Sequence, residues 1–228
     1  MDDSGVIDRR ALLKTAGRAA ALTAIFGSAA CATAGPATAS QSGPQVRWDF
    51  VKLHAIKPIT FGAGGSAVAL AEDGSSLTLT GSGTFRPPPG TPEAVAGGGD
   101  WQLSDAQGNP AGSGTYKLSG LISWNPGSGT FSPTLVDKIG EIKNTRTGLA
   151  LLRVSYSNGK QGILAISSHL PMATPDAVFN GMVASMGLVL FWNHQKITAA
   201  SLTDPHRDEN RTVFHVLVAG GASAAPTM

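Results

Sequence analysis

Cysteine is nearly absent: the chain of 228 residues has one, Cys31. No internal disulfide can form, and everything after residue 31 lacks a thiol nucleophile, a Cys-ligated zinc site or an iron–sulfur cluster. Charge is also scarce, at 14% of residues. There is no run of five like charges and no basic stripe interleaved with aromatics, which argues against nucleic acid as a partner. No G-x-S-x-G elbow, H-E-x-x-H helix or EF-hand loop occurs, so three common routes to hydrolysis or metal binding are missing. No apolar run reaches the ~20 residues that a membrane-spanning helix needs.

What is present begins with a leader. Asp8-Arg9-Arg10-Ala11-Leu12-Leu13-Lys14 is a basic head, Ala19 to Ala34 a short apolar middle, and Ala37-Thr38-Ala39 a small-x-small site ahead of Ser40. The pair Arg9-Arg10, followed by two leucines and a lysine, closely resembles bacterial twin-arginine (Tat) signal peptides. The resemblance covers residues 1–39. It implies transient use of the Tat translocase and export, already folded, across the bacterial cytoplasmic membrane to the periplasm or beyond. Cys31 is an alternative lipid-attachment site, although Ser28 stands where such sites usually carry Leu. The chain has 17 basic and 15 acidic residues; four basic (Arg9, Arg10, Lys14, Arg18) and three acidic (Asp2, Asp3, Asp8) lie in the leader. That leaves 13 and 12, a net charge of +1.

Residues 40–45 read as a polar linker, 46–218 as one domain, and 219–228 as a small-residue tail expected to be disordered. Strand signals dominate the domain. Val46, Trp48 and Phe50 share one face of an alternating segment, while Val51 and Leu53 fall on the other parity, which demands a bulge or a strand covered on both faces. Hairpins are expected at 66–80 around Glu72-Asp73-Gly74-Ser75, at 100–124 around Gly108-Asn109-Pro110, and at 149–167 around Asn158-Gly159. Phe214 and Val216 belong to a closing strand. Residues 177–192 carry both helical spacing and strand composition; Gly181 and Gly187 tip them toward strands. The expected fold is therefore all-β, a single antiparallel barrel or else a sandwich.

GSGTF at 81–85 returns as GSGTY at 112–116 and GSGTF at 127–131. A P-loop needs Lys after its last glycine and a helix beyond; none of the three copies has either, so they read as strand openers. Gly97-Gly98-Gly99-Asp100-Trp101 reads the same way, or as a ligand rim. With the aromatic ending Phe191-Trp192-Asn193 it is similar, in domain size and glycine-rich strand starts, to the small barrels of the allene oxide cyclase and dirigent group. That resemblance implies a hydrophobic cavity and transfers no catalytic residue.

The expected function is non-catalytic binding of a small apolar ligand or an envelope component, with no cofactor specified. Candidate ligand contacts are Trp48, His54, Trp101, His169, Trp192 and His215. The alternative is an enzyme: a barrel isomerase or cyclase, or a metalloenzyme using His206, Asp208 and Glu209 in the polar stretch Asp204–Arg211.

Overall fold

A computed structural model describes residues 44–89, 94–129, 131–169, 178–195 and 208–217, all within the unit Ser40–Met228. The leader residues Arg9, Arg10 and Cys31, and His206 of the polar stretch, lie outside them. The described part is all-β. Its strands are β1 (Gln45–Ile56), β2 (Ile59–Ala63), β3 (Ser66–Leu70), β4 (Ser76–Thr80), β5 (Ser82–Phe85), β6 (Val95–Ser104), β7 (Pro110–Pro126), β8 (Val136–Asp137), β9 (Thr145–Arg146), β10 (Gly148–Tyr156), β11 (Gln161–Ser168), β12 (Gly181–Met186), β13 (Val189–Phe191), β14 (Asn193–His194) and β15 (Thr212–Leu217).

Local chemistry sets the hairpins. At Asn158-Gly159, Gly159 adopts φ 82° and the Asn158 side chain accepts the Lys160 N–H, so β10 and β11 pair in register from Gly148–Ser168 to Ser155–Gln161. Asp73 caps the β3–β4 turn by accepting the Ser75 N–H and hydroxyl at 2.9 and 2.6 Å. Asp105 does the same for Gln107 and Asn109 between β6 and β7. The ambiguous stretch forms strands: residues 181–186 and 189–191 are β12 and β13, joined at Gly187, φ 63°.

The first GSGT copy opens a strand. There Gly81 separates β4 from β5 at φ 123°, and both strands pair with β6. The second copy lies inside the 17-residue β7. The third follows β7 and includes Thr130, outside the described residues.

All strands belong to one sheet, with its main path β13-β12-β11-β10-β7-β6-β5-β1-β15-β9. It is mixed, because β2 and β8 pair in parallel. Nor does its ladder close into a ring, so the single antiparallel barrel expected from sequence is not what these strands form, and among the described residues no second sheet makes a sandwich. At the seam the chain leaves β12 with β13, turns at Trp192, and pairs β14 with β3. Beside it, Asn210 sits buried at φ 56°, its N–H donating to Ser66 O at 2.7 Å and its Oδ1 accepting the Val68 N–H at 2.8 Å. A side chain and a one-residue bridge, Ser66 with Glu209, do there what a ladder would do in a closed barrel.

The sheet curls around one core. Alternation puts Trp48, Leu77, Leu79, Phe85, Leu152, Ile166, Met182 and Phe214 inside, all fully buried. Phe85, Trp124 and Phe214 meet edge to face at centroid distances of 4.7 to 6.3 Å. Each such side chain contributes about 1.5–3 kcal/mol by leaving water. The interior is thus filled by packing.

Candidate functional site

Strand β1 is covered on both faces, which explains why Val51 and Leu53 are apolar out of phase with Trp48 and Phe50. The register to β15 runs without interruption from Gln45 to Phe50; the irregularity lies farther on, between Leu53 and Ala55, against β2. The second cover is residues 131–147. This segment leaves the sheet after β7, sets β8 beside β2 and β9 beside β15, and returns into β10. It lays Phe131, Leu135, Ile139 and Ile142 over Val51, Leu53, Phe61 and Val213, a satellite core separate from the main one.

Two arrangements result. The first is an open cleft of about 150 Å³ between this cover and the sheet. Its walls are Val51, Leu53, Phe61, Phe131, Leu135 and Val213, and Ile59 stands half exposed at its rim. His169, Asn180, Arg211 and Thr212 supply its polar lining. Thr212 fixes Asn180 through its N–H and hydroxyl, at 3.3 and 2.7 Å from Oδ1, and its hydroxyl also meets Ser167 O. Burial pulls the Arg211 guanidinium below its ordinary value, with the charge of Asp208 working the other way. An apolar slot with a desolvated cation in its lining suits an amphipathic molecule.

The second arrangement is a buried Asp–His contact. His215 Nε2 lies 2.6 Å from Asp137 Oδ2, with both side chains out of solvent. Asp137 Oδ1 accepts the N–H groups of Ile139 and Gly140 at 2.7 and 3.2 Å. Across the strand pair from His215 stands Arg47, whose guanidinium holds Asp49 with two bonds of 2.8 Å. That bond raises the Arg47 pKa above its ordinary value. An Asp–His pair can orient a general base, but this ring has no open face: a Cβ on Gly140 would lie 2.9 Å from its Cδ2, and Nδ1 is buried without a partner. The pair fastens the cover to β15.

A third feature, a shallow depression of about 360 Å³, carries Thr78, Thr80, Gln102, Ser113 and Thr115 on the outer face of β4, β6 and β7. It is larger than the cleft, and Asp100 and Trp101, the latter one of the contacts expected from sequence, also line it.

The six contacts expected from sequence do not converge. Trp48 is wholly buried against Phe50, at 5.2 Å between rings, and its Nε1 has no partner. Trp101 is buried in the same core, donating Nε1–H to Thr115 O at 3.0 Å. His215 is paired with Asp137, His54 is exposed beside Gly62, and Trp192 is exposed at the seam. Only His169 lines the cleft. Of the metal candidates, Asp208 accepts the Leu53 N–H at 2.9 Å and Glu209 forms the bridge to Ser66. Among the described residues no three His, Cys, Asp or Glu side chains gather as a metal would require. Arg211 stood within the polar stretch noted in the sequence, but nothing there marked Phe131, Leu135 or Asn180 as its neighbours.

Among the described residues no helix is long and apolar enough to cross a membrane. Compared with known proteins, the chain matches no family model, no curated protein and no solved structure.

Proposed function

We propose that this is an exported β domain that binds a small amphipathic molecule, without catalysis, in the cleft between β1, β2, β15 and the segment 131–147. The observation that carries the reading is the pairing of six apolar walls with the lining groups Arg211, His169 and Asn180. A cavity of about 150 Å³ accommodates a group the size of a benzene ring. The apolar part of the ligand is thus a short chain or one ring, with the rest at the open mouth. Export rests on the leader at Arg9-Arg10, and Cys31 offers the alternative of a lipid anchor. The enzyme alternative gains nothing from His215–Asp137, because that pair does not line the cleft.

Native mass spectrometry of the chain purified from its host, paired with titration of 1-anilinonaphthalene-8-sulfonate, tests the reading. The dye should bind saturably at one site, and Ile59→Trp, which crowds the rim, should weaken it at least tenfold. No co-purified molecule together with dye binding that ignores Ile59→Trp would refute it.

A further inference from the structure

The polar residues lining the cleft are not scattered along it; they gather around Thr212, which is itself buried. The Ser168 hydroxyl donates to Thr212 O at 2.8 Å, fixing the end of β11 and with it the root of His169. Asn180 is held through Oδ1 by the Thr212 N–H and hydroxyl. Arg211 directly precedes Thr212, and its carbonyl accepts the Val51 N–H at 2.8 Å, which ties its backbone to β1. Side chains alternate along an extended chain, so Arg211 falls on the face of Val213, under the cover.

What these groups offer a ligand is of one kind. A guanidinium has donors only. Asn180 has committed Oδ1 to Thr212, so its Nδ2 protons are what it has left. His169 can present an N–H from either ring nitrogen. Among the described residues the lining holds no Asp or Glu. Two carboxylates at neighbouring positions are directed elsewhere, Asp208 to the Leu53 N–H at 2.9 Å and Asp49 to Arg47. The charge of Asp208 still reaches Arg211, but it offsets the burial of the guanidinium only in part. The site therefore rewards an acceptor, and at Arg211 a negative one. A guanidinium meets a planar carboxylate with two parallel bonds, and apolar walls that exclude water strengthen the attraction.

We propose, building on the binding role assigned to this cleft, that its ligand is a small organic carboxylate. One ring or a chain of about six carbons sits among Phe61, Phe131 and Leu135. The carboxylate lies on Arg211, with Asn180 and His169 beside it. An amine would meet like charge there, and a neutral amide of the same shape would forgo the charge-assisted bonds.

Isothermal titration calorimetry of the purified chain at about pH 7 compares benzoate with benzamide, its uncharged isostere, and with benzylamine. Benzoate should bind at least about tenfold more tightly than benzamide, and benzylamine should not bind. Arg211→Gln should bring benzoate and benzamide within about twofold of each other, while Arg211→Lys keeps the preference. The ratio reads recognition of charge, and the comparison in the unaltered chain stands even if Arg211→Gln folds poorly. Benzamide or benzylamine binding as well as benzoate, or a preference that survives Arg211→Gln, overturns the proposal and leaves an amphipathic cleft in place. So does failure of benzoate to displace 1-anilinonaphthalene-8-sulfonate from the site that Ile59→Trp crowds. Dye binding that ignores Ile59→Trp, with no binding of the three ring compounds, removes the cleft reading and this inference with it.

Discussion

Alkali provides a test of the packing that needs no ligand. The chain has two tyrosines, Tyr116 and Tyr156, and both lie in the main core with rings 6.2 Å apart. Tyr116 donates its hydroxyl to Thr80 O at 2.9 Å and Tyr156 to Ser185 O at 3.0 Å. Desolvation pushes both phenols up from their ordinary value of 10.0, and for Tyr116 the charges of Tyr156 and Asp100 add to the effect. In the unfolded chain both ionise near 10, so above that pH the unfolded state binds fewer protons than the folded one. Stability contributed by the neutral phenols is whole below pH 10 and is lost as the pH climbs toward the raised folded values. Each tyrosine costs about 1.4 kcal/mol per pH unit in that window, so the pair costs roughly 2.7. Absorbance at 295 nm, followed alongside circular dichroism, should show no tyrosinate step while the fold persists, then one steep step coinciding with unfolding. Urea midpoints at pH 10, 10.5 and 11 should fall ever more steeply toward that slope, and Tyr156→Phe should halve the fall. A reversible half-amplitude step near pH 10 in protein with an intact native spectrum would refute the burial of one phenol.

At the seam, Asn210→Gly should lose about 1–2 kcal/mol by removing the acceptor of the Val68 N–H, and Asn210→Ala about 1 kcal/mol more because alanine resists the left-handed φ of 56°. Equal urea midpoints for the two variants would show that the backbone there is not held as described. Asp137→Ala should cost about 1–3 kcal/mol by stripping a buried histidine of its hydrogen-bond partner. A double-mutant cycle with His215→Phe should then return a coupling above about 1 kcal/mol, and a cycle near zero would deny the contact.

Turn chemistry is local, and so the hairpins were legible: Asn158-Gly159 and Asp73-Gly74 fix their own geometry within four residues. The face of β1 carrying Val46, Trp48 and Phe50 was legible too, as was the need for something over Val51 and Leu53. What supplies it was not. Strands β8 and β9 have two residues each, too few to display a period, and the residues between them are irregular. The cleft draws its lining from residue 51 to residue 213, so its composition depends on pairings that no local window contains. Parity told which residues shared a face, but it could not tell that Trp48 and Trp101 look into the packed interior. The GSGT copies misled for a related reason: the same four letters start one strand and continue another, because β7 runs unbroken through the second copy.

The pairing of β1 with β15 joins Gln45 to Leu217 and Phe50 to Thr212. Strand β1 therefore takes its longest antiparallel neighbour from the far end of the described residues. With so many contacts distant in sequence, folding is slow, and β1 stays half unpartnered until β15 has been made. The same adjacency implies that Gln45 and Leu217 could be joined by a short link and the chain reopened at Asn158-Gly159, giving a permuted protein in which β1 and β15 become neighbours in sequence and form early.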